Sequence, residues 1–244
     1  MLAAGGAWPL AWCGAVVFVA YALRGATGFG AGVISIPLLL LALPLPVVIP
    51  LVTAMGMLAS FGQALHERRH VDWPGLRKLV VPSLVGVGAG LWLFAVVDSR
   101  HLLRALALFI VGYAVSGYLP WRLRAAPRWL GSVAGALGAF VATVFGGMAG
   151  PFYVVYLRSL ALDKTRFRAS IAVALLVLSV LRASGYGGLG LYDARVLWLL
   201  AAALPVVALA MFAGDRLHAR LDEARFGHVV AALLAASGVA LLFK

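Results

Sequence analysis

The stretch Arg24-Gly25-Ala26-Thr27-Gly28-Phe29-Gly30-Ala31-Gly32 interrupts an otherwise unbroken apolar run from about Trp8 to Leu43. No other feature constrains the fold as tightly. Glycine inside a helix costs roughly 1 kcal/mol relative to alanine, and an arginine at bilayer depth costs roughly 2.5–3.5 kcal/mol. A helix carrying four glycines and an arginine in so short a stretch breaks there. Broken backbone within a membrane is tolerated only where protein or a water-filled cavity covers it, and discontinuous helices are where membrane carriers hold their substrates. A second such stretch, Phe145-Gly146-Gly147-Met148-Ala149-Gly150-Pro151, lies about 120 residues further on. The pair predicts a membrane transporter with a duplicated, glycine-broken core.

Composition agrees with a membrane class: 64% of residues are hydrophobic, 11% are charged and the mean hydropathy is +1.04. Several apolar runs are long enough, at about 17–25 residues, to cross a bilayer as helices. The amino terminus lacks a basic n-region, so Met1 onward is expected to remain in the mature protein. A single cysteine, Cys13, excludes internal disulfides and argues against a cysteine metal site. The net charge of +12 is that of cytoplasmic loops beside anionic lipid rather than of a nucleic-acid binder.

Along the chain, a first apolar segment runs from Trp8 to Leu23, and after the break a short piece from Val33 to Leu43 ends at Pro44 and Pro46. Spans follow over Val47 to Leu65, Leu76 to Val97 and Leu102 to Tyr118. The second half repeats the plan: Trp129 to Val144, the break, a short piece from Phe152 to Leu162, then spans over Ser170 to Arg182, Ala194 to Ala213 and Phe226 to Phe243. Val71-Asp72-Trp73 and Tyr192-Asp193-Ala194 recur at nearly the spacing of the two breaks. The predicted fold is therefore an all-α integral membrane protein of about eight hydrophobic segments. It forms one membrane transport domain over 1–244, with a first repeat at 1–119 and a second at 129–244.

Charge sets the topology. If each broken segment is a re-entrant hairpin, the loops at 66–78, 120–128, 158–168 and 214–225 share one side and carry 14 of the 20 Lys and Arg residues. If each crosses once, that bias falls to near parity, so the positive-inside rule selects the hairpins. One hairpin plus three transmembrane helices is an odd number of crossings, which inverts the second repeat relative to the first. A multi-pass protein with both termini outside, on the periplasmic face, is the expectation. Its richness in Ala, Leu, Arg and Gly suggests a bacterial inner membrane.

In these residues the chain resembles the TauE/SafE sulfite exporter family, also called the sulfonate-uptake permease family, over nearly its whole length. The resemblance rests on Gly28-Phe29-Gly30-Ala31-Gly32 followed by Pro37-Leu38-Leu39, on Val71-Asp72-Trp73, on Gly146-Gly147 with Gly150-Pro151, and on Phe167-Arg168-Ala169. Ala31 interrupts the usual first glycine run, and Met148-Ala149 replaces part of the second. The resemblance implies a secondary transporter, not an enzyme, for small sulfur-containing anions such as sulfite, sulfonates or sulfoacetate.

The residues suit an anion. Half-helices beginning near Val33 and Phe152 would present unpaired N–H groups and a positive dipole end, and glycine lets a ligand reach the backbone. The predicted substrate-binding set is Arg24, Thr27, Gly28, Gly30, Gly32, Gly146, Gly147 and Gly150, with Arg24 as a bidentate donor and Thr27 as a hydroxyl donor. The competing reading of Arg24 is snorkelling to the nearer interface. Arg182, at a span end, reads as an interface arginine. All eight Asp and Glu residues fall in loops or at span ends, so export driven by the inside-negative potential is expected rather than coupling through a buried carboxylate. Neither a metal nor a cofactor is predicted. The partners expected are a small anionic substrate, membrane lipid and a second copy of the chain, not nucleic acid.

Two other classes compete with a transporter. His66-Glu67-Arg68-Arg69-His70 matches H-E-x-x-H, the zinc-binding pattern of a metalloprotease, with His66 and His70 as ligands and Glu67 as base. Two arginines between the histidines repel a dication, and the same residues serve as a positive-inside flank. A non-transporting scaffold is the other alternative, but it gains nothing from broken helices at depth.

Overall fold

The structure is a computed structural model that describes residues 8–116, 127 and 129–217. It contains α1 (Trp8–Thr27), α2 (Ala31–Leu40), α3 (Leu45–Glu67), α4 (Trp73–Val96) and α5 (Ser99–Ser116). These are followed by α6 (Leu130–Phe145), α7 (Gly150–Ser159), α8 (Lys164–Gly188) and α9 (Ala194–Leu217). The described residues form helices and their connections, with no strand among them. Five helices, α1, α3, α4, α8 and α9, are long and apolar enough to cross a membrane. The span predicted over Phe226–Phe243 lies outside the described residues.

Local sequence starts these helices. Asp72 accepts from Gly75 N at 3.0 Å, Asp163 from Arg166 N at 3.0 Å and Asp193 from Val196 N at 2.8 Å. Each carboxylate satisfies a backbone donor that a helix start leaves bare. The two recurring Asp landmarks of the sequence are thus both amino-terminal caps. Lys164–Arg168, predicted to lie in a loop with Asp163, instead form the first turns of α8, and Asp163 is the extended residue that caps it.

Both glycine breaks reverse the chain. Trp12, early in α1, donates from Nε1 to Leu38 O, late in α2, at 3.2 Å, so these helices run antiparallel. In the second pair, a Cβ on Gly131 would lie 2.9 Å from the Tyr156 ring, and one on Gly138 would lie 2.9 Å from the Tyr153 ring. The first arm is longer than predicted. α1 continues through Gly25 to Thr27, because Gly25 serves packing: a Cβ there would sit 2.5 Å from Met211 O of α9.

The helices pack in crossed pairs. α1 lies along α9, α6 along α4, and α3 against α8 at the centre. Glycine allows the close approaches: a Cβ on Gly214 would lie 1.8 Å from Ala22 O, and one on Gly86 would lie 2.1 Å from Ala136 O. The outer faces of α4 and α9 leave Val85, Trp92, Trp198 and Phe212 exposed, the apolar surface that lipid covers.

Candidate functional site

Where the two reversals occur, the hairpins touch tip to tip. Gly28, Gly30, Gly146 and Gly147 have φ of +86°, +95°, +86° and +122°, a region open to glycine and costly for other residues. These angles turn the chain so that α2 and α7 begin at the tips. A Cβ on Gly32 would lie 3.1 Å from Gly147 O, and one on Gly150 would lie 3.3 Å from the Phe29 ring. The half-helices begin at Ala31 and Gly150, two residues before Val33 and Phe152.

Beside the tips lies a cavity. Its floor is backbone from Gly30, Gly32, Gly146, Gly147 and Gly150. Its walls come from Tyr21 and Arg24 of α1, Val52, Thr53 and Gly56 of α3, and Leu175, Leu178, Ser179 and Arg182 of α8. Six of the eight predicted substrate-binding residues therefore line one space. Thr27 and Gly28 do not. The Thr27 hydroxyl lies 2.9 Å from Leu23 O and 2.8 Å from Phe29 O, so it bonds within the turn and fixes its shape.

Arg24 is 6% exposed and points into the protein, where its Nη2 donates to Ser60 Oγ. That is not the snorkelling geometry. A Cβ on Gly56 would meet Arg24 Nη1 at 3.7 Å, with Ser179 Oγ and the Tyr21 hydroxyl each at 4.0 Å. Arg182, read from sequence as an interface residue, is 2% exposed. Its Nη2 donates to Thr53 Oγ1 at 2.7 Å and its guanidinium stands 5.7 Å from the centre of the Tyr186 ring. The difference arises because α8 continues past Arg182 to Gly188, which places this side chain inside the helix rather than at its end. A span from Ser170 to Arg182 falls well short of the roughly 17 residues a crossing needs, and that shortfall was the available signal. Thr53, Ser179 and Tyr21 carried no comparable signal, being small or aromatic residues within apolar runs.

The Nε atoms of both arginines are buried without a hydrogen-bond partner. Among the described residues the ion pairs Asp163–Arg166 and Asp215–Arg168 lie at helix ends, away from this cavity. Two buried guanidinium groups without a carboxylate are strongly unfavourable unless something anionic compensates them.

The H-E-x-x-H segment is not one continuous α-helix. α3 ends at Glu67, and Arg68–His70 is a turn of 3-10 helix, so the two histidines do not share one α-helical face. His70 is exposed, and no group of three His, Cys, Asp or Glu residues converges among the described residues.

Crossing helices, two opposed chain reversals and a polar cavity between them define a multi-pass membrane transporter. The chain belongs to the sulfite exporter TauE/SafE family, which it matches over residues 13–241. Members of that family are transporters, and the protein is not an enzyme. It is 28% identical over 178 residues to a probable inner membrane transporter protein TsaS of Comamonas testosteroni, covering 71% of this chain and 73% of that one. No solved structure matches it significantly.

Proposed function

We propose that this transporter carries small sulfur-containing anions, of the sulfite, sulfonate and sulfoacetate type, outward across a bacterial inner membrane under the membrane potential. Its substrate site is the cavity at the hairpin tips. Arg24 supplies charge and directed donors; Gly30, Gly32, Gly146, Gly147 and Gly150 supply backbone that an anion can approach without a Cβ in the way. Thr27 and Gly28 hold the first tip in shape. The observation that carries this reading is the buried Arg24 side chain, which lines the same cavity as the glycine tips and keeps an unpartnered Nε. The family's sulfite description and the inner-membrane name of the relative support the substrate class and location.

The overall plan is two inverted repeats, 1–119 and 129–244, each a re-entrant hairpin with three spans and both termini outside. The crossed packing supports it, because exchanging α1 with α6, α3 with α8 and α4 with α9 reproduces the observed neighbours. Outward movement of an anion gains roughly 2.3 kcal/mol per charge per 100 mV, which makes a buried carboxylate for proton coupling unnecessary.

Anion flux into and out of proteoliposomes tests the proposal, with sulfite, sulfoacetate, taurine and a dicarboxylate offered in turn. Saturable flux of a sulfur anion, stimulated by potential and reduced at least about tenfold in Arg24→Ala, is expected. Flux that survives in Arg24→Ala would remove Arg24 from the path. Flux of the dicarboxylate alone would replace the substrate class.

A further inference from the structure

Arg24 and Arg182 come from helices at opposite ends of the described chain and converge on one helix between them. Arg182 bonds Thr53, and Arg24 packs over Gly56. Residues three apart on a helix are neighbours on one face, about 5–6 Å between Cβ positions. Because Arg24 also reaches Ser60, the two guanidinium groups stand between one and two turns apart along α3, both lining the cavity. Each has one Nη2 held by a hydroxyl, Ser60 or Thr53, and each retains a buried Nε with no partner. The hydroxyls orient the two forks without neutralising them. The neighbouring starts of α2 and α7 add positive potential.

We propose that Arg24 and Arg182 form a paired-guanidinium site that selects a divalent anion, either a compact oxyanion or a sulfonate with a second anionic group close by. This rests on the reading that the cavity is the substrate site, and adds to it the charge of the species bound and a role for Arg182. A single charge leaves one guanidinium uncompensated in a low-dielectric interior, whereas a dianion seated between them compensates both. Arg182 is then a specificity-determining residue, and Thr53 positions it.

Two matched pairs of ligands test the charge rule with the purified full chain by titration calorimetry: sulfate against methanesulfonate, and sulfoacetate against sulfoacetamide. Each pair keeps size nearly constant and changes charge by one. Binding of the dianion about tenfold or more tighter in at least one pair is expected. In Arg182→Gln that gap should close, the dianion falling to the level of its monoanionic match, while Arg182→Lys, which keeps the charge, should retain a preference. Equal binding within both pairs would overturn the dianion rule and leave the cavity as an anion site. A preference that persists undiminished in Arg182→Gln would overturn the role of Arg182. No binding of any of the four, together with no flux of any sulfur anion in proteoliposomes, would overturn the cavity reading itself. Should Arg182→Gln fail to fold, the wild-type pairs and Arg182→Lys still decide.

Discussion

Gly28 and Gly32 both belong to the first tip, yet they answer different physical demands. Gly28 has φ of +86° with no atom within 4 Å of where a Cβ would stand, while Gly32 is helical and would press a Cβ to 3.1 Å from Gly147 O. Gly28→Ala should therefore cost only backbone strain, on the order of 1–2 kcal/mol, visible as a lower midpoint of thermal unfolding with substrate affinity retained. Gly32→Ala should fold with little loss, because its neighbour needs to move only a few tenths of an ångström. That movement separates the tips at the substrate floor, and flux should fall by about tenfold. Equal effects of the two substitutions on flux would contradict this separation of roles. Both glycines stood out in the sequence as part of one cluster. Their different duties did not, because conformation and spacing to a distant backbone carbonyl leave the same letter in the chain.

At the scale of the element, glycine spacing on α4 distinguishes packed from lipid-facing surface. A Cβ on Gly86 would lie 2.1 Å from Ala136 O of α6, whereas Gly88 has no atom within 4 Å. Gly86→Ala is expected to destabilise the protein by about 1–3 kcal/mol through overpacking. Gly88→Ala should be neutral or stabilise by up to about 1 kcal/mol through helix propensity, and unfolding in mild detergent with increasing denaturant would rank the two. The same ambiguity explains which helices were legible. The two breaks and the short half-helices could be read because proline and glycine runs act locally, whereas Asp72 and Asp193 stood out as recurring landmarks without showing that they cap helices. The carboxyl-terminal part of α8 could not be read. Gly185, Gly187 and Gly188 look like a turn, yet Gly185 lies against the Leu91 side chain and Tyr186 is fully buried, donating to Thr143 O. Tertiary packing overrides weak propensity there. In doing so it carries Arg182 into the interior instead of leaving it at an interface.

At the scale of the molecule, the proposed inverted plan makes the two ends of the chain equivalent. A reporter fused after Lys244 should be active only if it is one that works outside the inner membrane, and a cytoplasm-dependent reporter at the same point should be silent. The reverse pattern would place the carboxyl terminus in the cytoplasm and overturn the proposed orientation. The crossed pairing has a further consequence, in time rather than in space. The face of α1 that carries Gly25 is covered by Met211 and Gly214 of α9, which leave the ribosome about 190 residues later, on the order of 10–40 s at ordinary synthesis rates. Through that interval the Gly25 face of the nascent first hairpin lacks its native cover, although α3 brings Ser60 to Arg24 much earlier. A chaperone, the insertion machinery or lipid must shelter that face until α9, the last described helix, arrives.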